Sequence, residues 1–454
     1  MIRMEVKTIT KEDIFIKARM ISEGVDLTPS KDLSPDLYNA WTLEKEGEQK
    51  EVEIPEKLDL DNPLSLLSLL GDVNKKDTSI NFRPEIRFDN SGLRVQIYPN
   101  KRSRLELLID GDRASVIEKG KTLISGTFPR KLEWLDQKLG GGINATVGNL
   151  LPAMSASVIN LAFNLSCMNF NTGKGCRFCN LFSNPISRKI SMLPMNTLKI
   201  WSMGQGRAVK VAIDNGWRGS FAISGGALAP AQRGEYLERL DVVLTTLKKA
   251  IGEKLFNKIP KVYNHYPPED FTDMHKWKEM GITSVSIDLE VMDDAYYAAI
   301  CPGKAAYKPL SYVRKAQEYS VEVFGPLFGT TGCLVMGIEP MSTLVAGFEE
   351  RMSKGVLPHP IIFHATSGSA YEGFRAPTAE WIVEASEKMA DSFMKHLIKW
   401  LPAAIKHEKE RGNDEYELTS GFNSLAHQAI VFDEINIRLD KLLDGRPVSA
   451  LLEE

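Results

Sequence analysis

Ser166-Cys167-Met168-Asn169-Phe170-Asn171-Thr172-Gly173-Lys174-Gly175-Cys176-Arg177-Phe178-Cys179-Asn180 is the stretch on which the reading of this 454-residue chain turns. It holds three of the five cysteines, spaced C-x8-C-x2-C. Cys176 and Cys179 are close enough to grip one metal centre from a single turn. Gly173 and Gly175 let the intervening loop fold back and bring Cys167 to the same centre. No fourth cysteine or histidine lies nearby, and the nearest histidine in sequence is His265. A structural zinc site closes with four ligands. A [4Fe–4S] cluster held by three thiolates leaves one iron open to a substrate or cofactor. The missing fourth ligand favours the cluster; a zinc knuckle and three unconnected thiols are the competing readings.

Outward from this loop the chain alternates strand and helix. Ser157 to Leu165 reads as a buried strand feeding Cys167. Phe221-Ala222-Ile223 ends in Ser224-Gly225-Gly226, and Lys261 to Tyr266 stops at Pro267-Pro268. Thr283 to Glu290, Gly332 to Gly337 and Pro360 to His364 are further strands. Helices are expected over Gln232–Ala250, Asp270–Met280, Leu310–Tyr319, Met341–Lys354 and Thr378–Leu397. Strands alternating with helices imply a parallel sheet with right-handed crossovers. Within Thr283 to Glu290 the side chains alternate strictly: Ser284, Ser286, Asp288 and Glu290 share one face, and Val285, Ile287 and Leu289 the other. The helix-covered face of such a strand is apolar, so the polar face points inward. Two inward carboxylates are costly unless they meet a ligand or a partner.

The cysteine loop resembles the signature loop of radical S-adenosylmethionine (SAM) enzymes. Their commonest spacing is C-x3-C-x2-C with an aromatic residue before the last cysteine, here Phe178; the first gap of x8 is a departure. The resemblance implies a [4Fe–4S] cluster on Cys167, Cys176 and Cys179, with SAM at the open iron. Ser224-Gly225-Gly226-Ala227 is similar to the family's Gly-Gly-Glu motif, whose backbone holds the amino group of SAM; Ala227 stands where the Glu would be. An ordinary β–α turn is the bland alternative. The run from Asp288 through Met292-Asp293-Asp294 and Ile300-Cys301-Pro302-Gly303-Lys304 to Arg314 is similar to the matching part of the biotin synthase-like branch, which includes tyrosine lyases, methylornithine synthase and hydrogenase maturases. It implies cofactor contacts from Asp288, Glu290 and Arg314, against a structural Glu–Arg pair. Gly332-Cys333-Leu334-Val335-Met336-Gly337-Ile338-Glu339 resembles the strand that lies beside the adenine in that branch, which implies a contact from Leu334. The implied core is an α/β fold, a partial (β/α)6 TIM-like barrel, with functional residues at the C-terminal ends of its strands. The resemblance spans roughly residues 157–375.

Other groups are weaker. Cys301 and Cys333 are each either a substrate-radical donor or a ligand to an auxiliary cluster, or, as a lone cysteine most often is, a small buried apolar residue. Asn264, His265, Tyr266, His364 and Thr366 end strands and are substrate-facing by position; a buried structural histidine is the alternative at His265 and His364. Asp273-Met274-His275 begins like a cobalamin-binding Asp-x-His-x-x-Gly motif, but Lys278 replaces the glycine, so it reads as an exposed helix start.

Towards the N-terminus, Lys11 to Glu23 reads as a helix with Thr10 as N-cap. Residues 43–60 are highly charged and residues 63–70 are apolar. From Glu85 to Thr127, short alternating runs are broken at Asn90-Ser91-Gly92, Asp110-Gly111-Asp112 and Glu118-Lys119-Gly120, an antiparallel meander of four or five strands. The expected organisation is an N-terminal accessory domain over 1–150 with the meander at 85–127, a barrel over 151–375, and a C-terminal helical extension over 376–454. The meander is expected to serve as a lid or a dimer surface.

Composition narrows the partners. The net charge of −3 has no clustered basic excess, which argues against a nucleic-acid surface. No apolar window is long enough for a membrane span, and the first residues lack the apolar core of a signal peptide. Five unevenly spaced cysteines are no disulfide framework and fit a reducing cytoplasm. The resemblance implies an enzyme that reductively cleaves SAM to a 5′-deoxyadenosyl radical. It would take electrons from a reductant such as flavodoxin or ferredoxin and abstract hydrogen from a small polar substrate. The rival from another class is a non-catalytic iron–sulfur or zinc-binding scaffold whose meander grips a partner. The inward Asp288 and Glu290 argue against the scaffold.

Overall fold

In the computed structural model, residues 9–30, 85–127, 132–140, 143–151, 158–164, 167–179, 181, 193–365, 368–410, 429–444, 446 and 451 are described. The runs at 43–60 and 63–70, and the positions of Ser157 and Thr366, lie outside them.

Helix α1 (Lys11–Glu23) starts where the sequence places it. The Thr10 hydroxyl accepts from the Asp13 N–H at 3.1 Å, and the Asp13 carboxylate accepts from the Thr10 N–H at 3.0 Å. This capping box satisfies two backbone donors that the first turn leaves free. The other Asp13 oxygen accepts from the Asn90 side chain at 2.6 Å, tying the helix to the first turn of the meander. Gly24 ends the helix at φ 69, and a Cβ there would stand 2.7 Å from the Tyr98 carbonyl oxygen. Only glycine fits both demands.

The meander is a five-stranded antiparallel sheet: β1 (Glu85–Phe88), β2 (Arg94–Gln96), β3 (Leu105–Asp110), β4 (Arg113–Glu118) and β5 (Lys121–Thr127), in the order β2-β1-β5-β4-β3. A two-stranded ribbon of β6 (Lys138–Gly140) and β7 (Ile143–Thr146) leads out of it.

The body is a six-stranded parallel sheet: β8 (Val158–Asn164), β9 (Ser220–Gly225), β10 (Lys261–Asn264), β11 (Ser284–Ser286), β12 (Leu327–Met336) and β13 (Val356–Ile362). Each strand pairs in parallel with the next in sequence. This monotonic order, with a helical crossover at every step, is the partial (β/α)6 barrel expected from the sequence. The intervening long helices are α2 (Met195–Asp214), α3 (Tyr236–Ile251), α4 (Asp273–Glu279), α5 (Leu310–Phe324) and α6 (Met341–Ser353); α7 (Ala379–Glu410) and α8 (Ile430–Leu443) follow the last strand. Helix α2 has no counterpart among the expected elements. Its Gly204 and Gly206 weaken the sequence signal, yet Gly206 is where α2 and α3 meet: a Cβ there would lie 2.9 Å from that of Ala250.

Buried apolar side chains of α1, both large sheets and the last two helices form one continuous core. The two ends of the chain are tied together inside it. The buried Lys17 ammonium of α1 meets the Asp433 carboxylate of α8 at 2.7 Å. The Ser22 hydroxyl donates to the Pro377 carbonyl at 2.6 Å. Tyr98, just past β2, stacks on His364, just past β13, with ring centres 3.8 Å apart. The N-terminal module therefore touches the C-terminal end of the last barrel strand.

Candidate active site

The site is built on the loops after β8, β9 and β11. Cys167, three positions past the end of β8, caps a short helical turn, Met168–Asn171. Gly173 then adopts φ 70, in the left-handed region. Gly175 passes so close to Phe170 that a Cβ would stand 2.4 Å from its ring. Both glycines serve the fold-back the sequence predicts. The loop is fastened to the glycine turn after β9: the Met168 N–H donates to the Ala227 carbonyl at 2.8 Å, and the Ala227 N–H donates to the Cys167 sulfur at 3.4 Å. The turn Ser224-Gly225-Gly226-Ala227 thus meets the cysteine loop through Ala227. Gly225 also has a packing role, since a Cβ would stand 2.7 Å from the Phe163 ring.

The three loop thiols differ. Burial raises Cys167, and it pushes Cys179 up to about 12. Cys176 is held below the usual thiol value because the Cys301 thiol donates a hydrogen bond to it, aided by the Lys304 charge. Phe178 is half-buried and packs against the core. Among the described residues, no three His, Cys, Asp or Glu side chains converge on a single metal ion. Three separate thiols on one loop, with a backbone N–H already aimed at one sulfur, suit a cluster of several irons, which takes its thiolates at different corners. The residues present fit that group.

Strand β11 is shorter than its alternation suggests, and its continuation carries the site. Asp288 faces inward and accepts three hydrogen bonds, from Asn264 Nδ2 at 2.8 Å, Ser286 Oγ at 2.7 Å and the Cys333 N–H at 2.8 Å. Glu290 leaves the strand conformation at φ 68. Its main chain nevertheless bridges to β12, accepting from the Val335 N–H at 2.8 Å and donating to the Cys333 carbonyl at 2.9 Å. A non-glycine residue held there stores on the order of 1–3 kcal/mol of strain, a recurrent mark of functional sites. The Glu290 carboxylate pairs with Lys304 at 2.5 Å and not with Arg314. Burial raises the Glu290 carboxyl. Burial alone would lower the Lys304 ammonium, but Glu290, Tyr266 and Cys176 together hold it well above its usual value. Arg314 Nη2 donates instead to the Met292 carbonyl at 2.6 Å, and its Nε is buried without a hydrogen-bond partner.

Alternation sorts the remaining candidates. Gly332 faces the helices, where a Cβ would meet the Gln317 side chain at 2.3 Å. Leu334, two residues on, is fully buried on that same side, and Cys333 takes the interior face. His265 also turns outward, into an aromatic cluster with Tyr236, Tyr263 and Trp277. Burial pulls its imidazole down to about 4. His265 is therefore a structural histidine, and the inward group at the end of β10 is Asn264. Tyr266 accepts from Asn169 Nδ2 at 2.8 Å, so it too reaches the cysteine loop. His359 of β13 is buried beside Asp288 and lies against Phe432 of α8, ring centres 5.3 Å apart. His275 is exposed on α4.

Sequence reasoning gave Lys304 no role and did not join Cys301 to the cysteine loop. The signal was present, since both lie in the Cys301-Pro302-Gly303-Lys304 turn; what could not be read was that this turn folds onto the cysteine loop.

A parallel sheet in sequential order, with a three-cysteine loop after its first strand and a glycine turn after its second, defines the class of radical SAM enzymes. Bacteriochlorophyllide c C-7(1)-hydroxylase of Chlorobaculum limnaeum is 33% identical to this chain over 422 residues, covering 91% of this chain and 94% of its own. The chain belongs to the family of that hydroxylase, within the radical SAM superfamily. It is an enzyme, and members of that superfamily use a [4Fe–4S] cluster and SAM. A comparison with models of known protein families gives no match. The solved structure of methylornithine synthase superposes with a TM-score of 0.36 at 14% identity, over 55% of this chain and 69% of that one. Among the described residues, no helix is long and apolar enough to cross a membrane.

Proposed function

We propose that Cys167, Cys176 and Cys179 hold a [4Fe–4S] cluster, and that the barrel interior binds a small molecule bearing polar groups, from which a hydrogen atom is abstracted. The single observation that carries this reading is the fastening of the cysteine loop to the Ser224–Ala227 turn, which brings thiols and glycine backbone to one place. When bound, the cluster and SAM supply a 5′-deoxyadenosyl radical, and the hard chemistry is theirs.

This chain's residues position and enclose. The main chain of Ser224, Gly225 and Gly226 offers close approach to the methionine end of SAM. Asp288 and Glu290, at the end of β11, present carboxylates toward the same space, and Arg314 offers its unpartnered Nε. Phe178 shields the loop from the core side. A contact from Leu334 is made by its main chain, since its side chain faces the helices. Asn264, Ser286 and Asp288 supply the hydrogen-bonding groups of an enclosed polar pocket. The meander at 85–127 serves as a lid on the barrel of 151–375 or as a dimer surface, and the stacking of Tyr98 on His364 favours the lid. Electrons come from a small reductant such as flavodoxin or ferredoxin.

The relative's name gives hydroxylation of bacteriochlorophyllide c as its reaction, so that compound is the first substrate to try. The test is isotope transfer: the reduced, oxygen-free enzyme is incubated with SAM and either deuterated bacteriochlorophyllide c or a fractionated metabolite extract. Deuterium passing from the labelled compound into 5′-deoxyadenosine, or faster 5′-deoxyadenosine formation with one small-molecule fraction, identifies the substrate. Acceleration of 5′-deoxyadenosine formation by the macromolecular fraction alone would refute the small-molecule reading.

A further inference from the structure

Lys304 carries a buried charge that the assigned contacts do not use. Its ammonium lies 2.5 Å from the Glu290 carboxylate and 5.2 Å from the centre of the Tyr266 ring. The turn that presents it is clamped to the cysteine loop by two main-chain hydrogen bonds. The Gly303 N–H donates to the Lys174 carbonyl and the Arg177 N–H donates to the Ile300 carbonyl, each at 2.9 Å. Gly303 is glycine because a Cβ would stand 2.4 Å from Asn169 Cγ and 2.6 Å from the Lys174 oxygen. On the far side of the ammonium, Glu290 sits in the left-handed conformation at φ 68. Loop, strand end and aromatic ring therefore fix this charge in one place.

We propose that Lys304 is a positioning residue of the cysteine-loop site: it holds the Glu290 carboxylate beside the loop and sets the local charge against which the bound cluster is reduced. This rests on the reading of the loop as a cluster site. Besides Glu290 and Tyr266, the Lys304 charge acts on the Asp288 carboxylate, on the thiols of Cys167, Cys176, Cys301 and Cys333, and on the Tyr297 hydroxyl. Reduction adds one negative charge to the cluster, so a fixed cation nearby favours it and an unpaired carboxylate opposes it. Removing either partner of the pair must then move the reduction potential in opposite directions. A residue that only stiffened the loop would move it the same way in both variants, or not at all.

The experiment uses the full chain, purified without oxygen as wild type, Lys304→Met, Lys304→Arg and Glu290→Gln. Iron, sulfide and absorbance are measured first; the cluster midpoint potential then follows from a redox titration monitored by electron paramagnetic resonance, without SAM. Equal cluster content is expected in all four proteins. Lys304→Met should shift the potential to more negative values, Glu290→Gln to more positive ones, and Lys304→Arg should stay closer to wild type than Lys304→Met. Shifts of the same sign, or none, at equal cluster content overturn the role of Lys304. If Lys304→Met does not fold, Lys304→Gln takes its place in the same comparison with Glu290→Gln. Absence of a cluster in the wild type refutes the reading of the loop itself.

Discussion

Two lysines are buried against carboxylates in two regions of this molecule. Lys17 meets Asp433 at 2.7 Å where α1 docks on α8. Lys304 meets Glu290 at 2.5 Å beside the cysteine loop. In both pairs burial raises the carboxyl. Their surroundings differ. Lys17 and Asp433 both sit on regular helices and join parts of the chain 416 residues apart. Glu290 is held at a positive φ, and the Lys304 charge is felt by thiols from two loops. A buried ion pair alone is thus no sign of a site, and its net contribution to stability is often small. Backbone strain together with convergent reactive groups is what sets the second pair apart.

Changing Cys167, Cys176 or Cys179 to Ala should give the largest effect, complete loss of iron–sulfur absorbance and of SAM cleavage. Cys301→Ala and Cys333→Ala should keep the absorbance. Its loss in either of these two would show that the ligand set is wrongly chosen.

Lys17→Met comes next. It leaves Asp433 buried and uncompensated, a cost of about 3–5 kcal/mol. Denaturant melts should show that loss, and the Lys17→Met/Asp433→Leu double variant should recover most of it. Iron content per folded molecule should not change. A variant that kept its stability but lost its cluster would erase the contrast between the two regions.

His265 marks the structural side of the site. Its imidazole is held at about 4 in the fold, against the ordinary 6.5. As pH falls the unfolded chain takes up this proton first, so the stability tied to the neutral ring is complete above about pH 6.5 and is lost toward pH 4. The loss is up to about 3 kcal/mol. Melting temperatures across that window should fall, and His265→Phe should flatten the slope. An unchanged slope would mean that other groups dominate the acid transition.

Glu290→Gln and Arg314→Ala should have the smallest effect of the series on free energy. Each removes a charge-assisted contact worth about 1.5–3 kcal/mol, so SAM affinity should drop roughly tenfold or more at constant cluster content. Calorimetric titration of the anaerobic protein measures it. Unchanged affinity in both would leave Glu290 a partner of Lys304 only.

How much of this was legible depends on the range of the interaction. Thr10 and Asp13 specify the first helix locally, and the five meander strands follow from turn residues and period-two alternation. The cysteine spacing and Gly173 likewise announce their loop. Side-chain direction along β11 was readable up to Asp288. The left-handed backbone at Glu290 was not, because it is imposed by pairing to Cys333 and Val335 on another strand. The choice of Lys304 over Arg314 as the Glu290 partner is tertiary too, since it depends on Gly303 meeting the Lys174 carbonyl. His265 was undecided from sequence, and one residue of alternation from Asn264 settles it.

The central claim is that the cysteine loop holds a cluster that cleaves SAM. It is tested most directly by purifying the protein without oxygen, reducing it, adding SAM and measuring 5′-deoxyadenosine against the Cys176→Ala variant. A brown protein that forms 5′-deoxyadenosine, with none from the variant, is the predicted result. A colourless protein that contains zinc and leaves SAM intact would contradict the account.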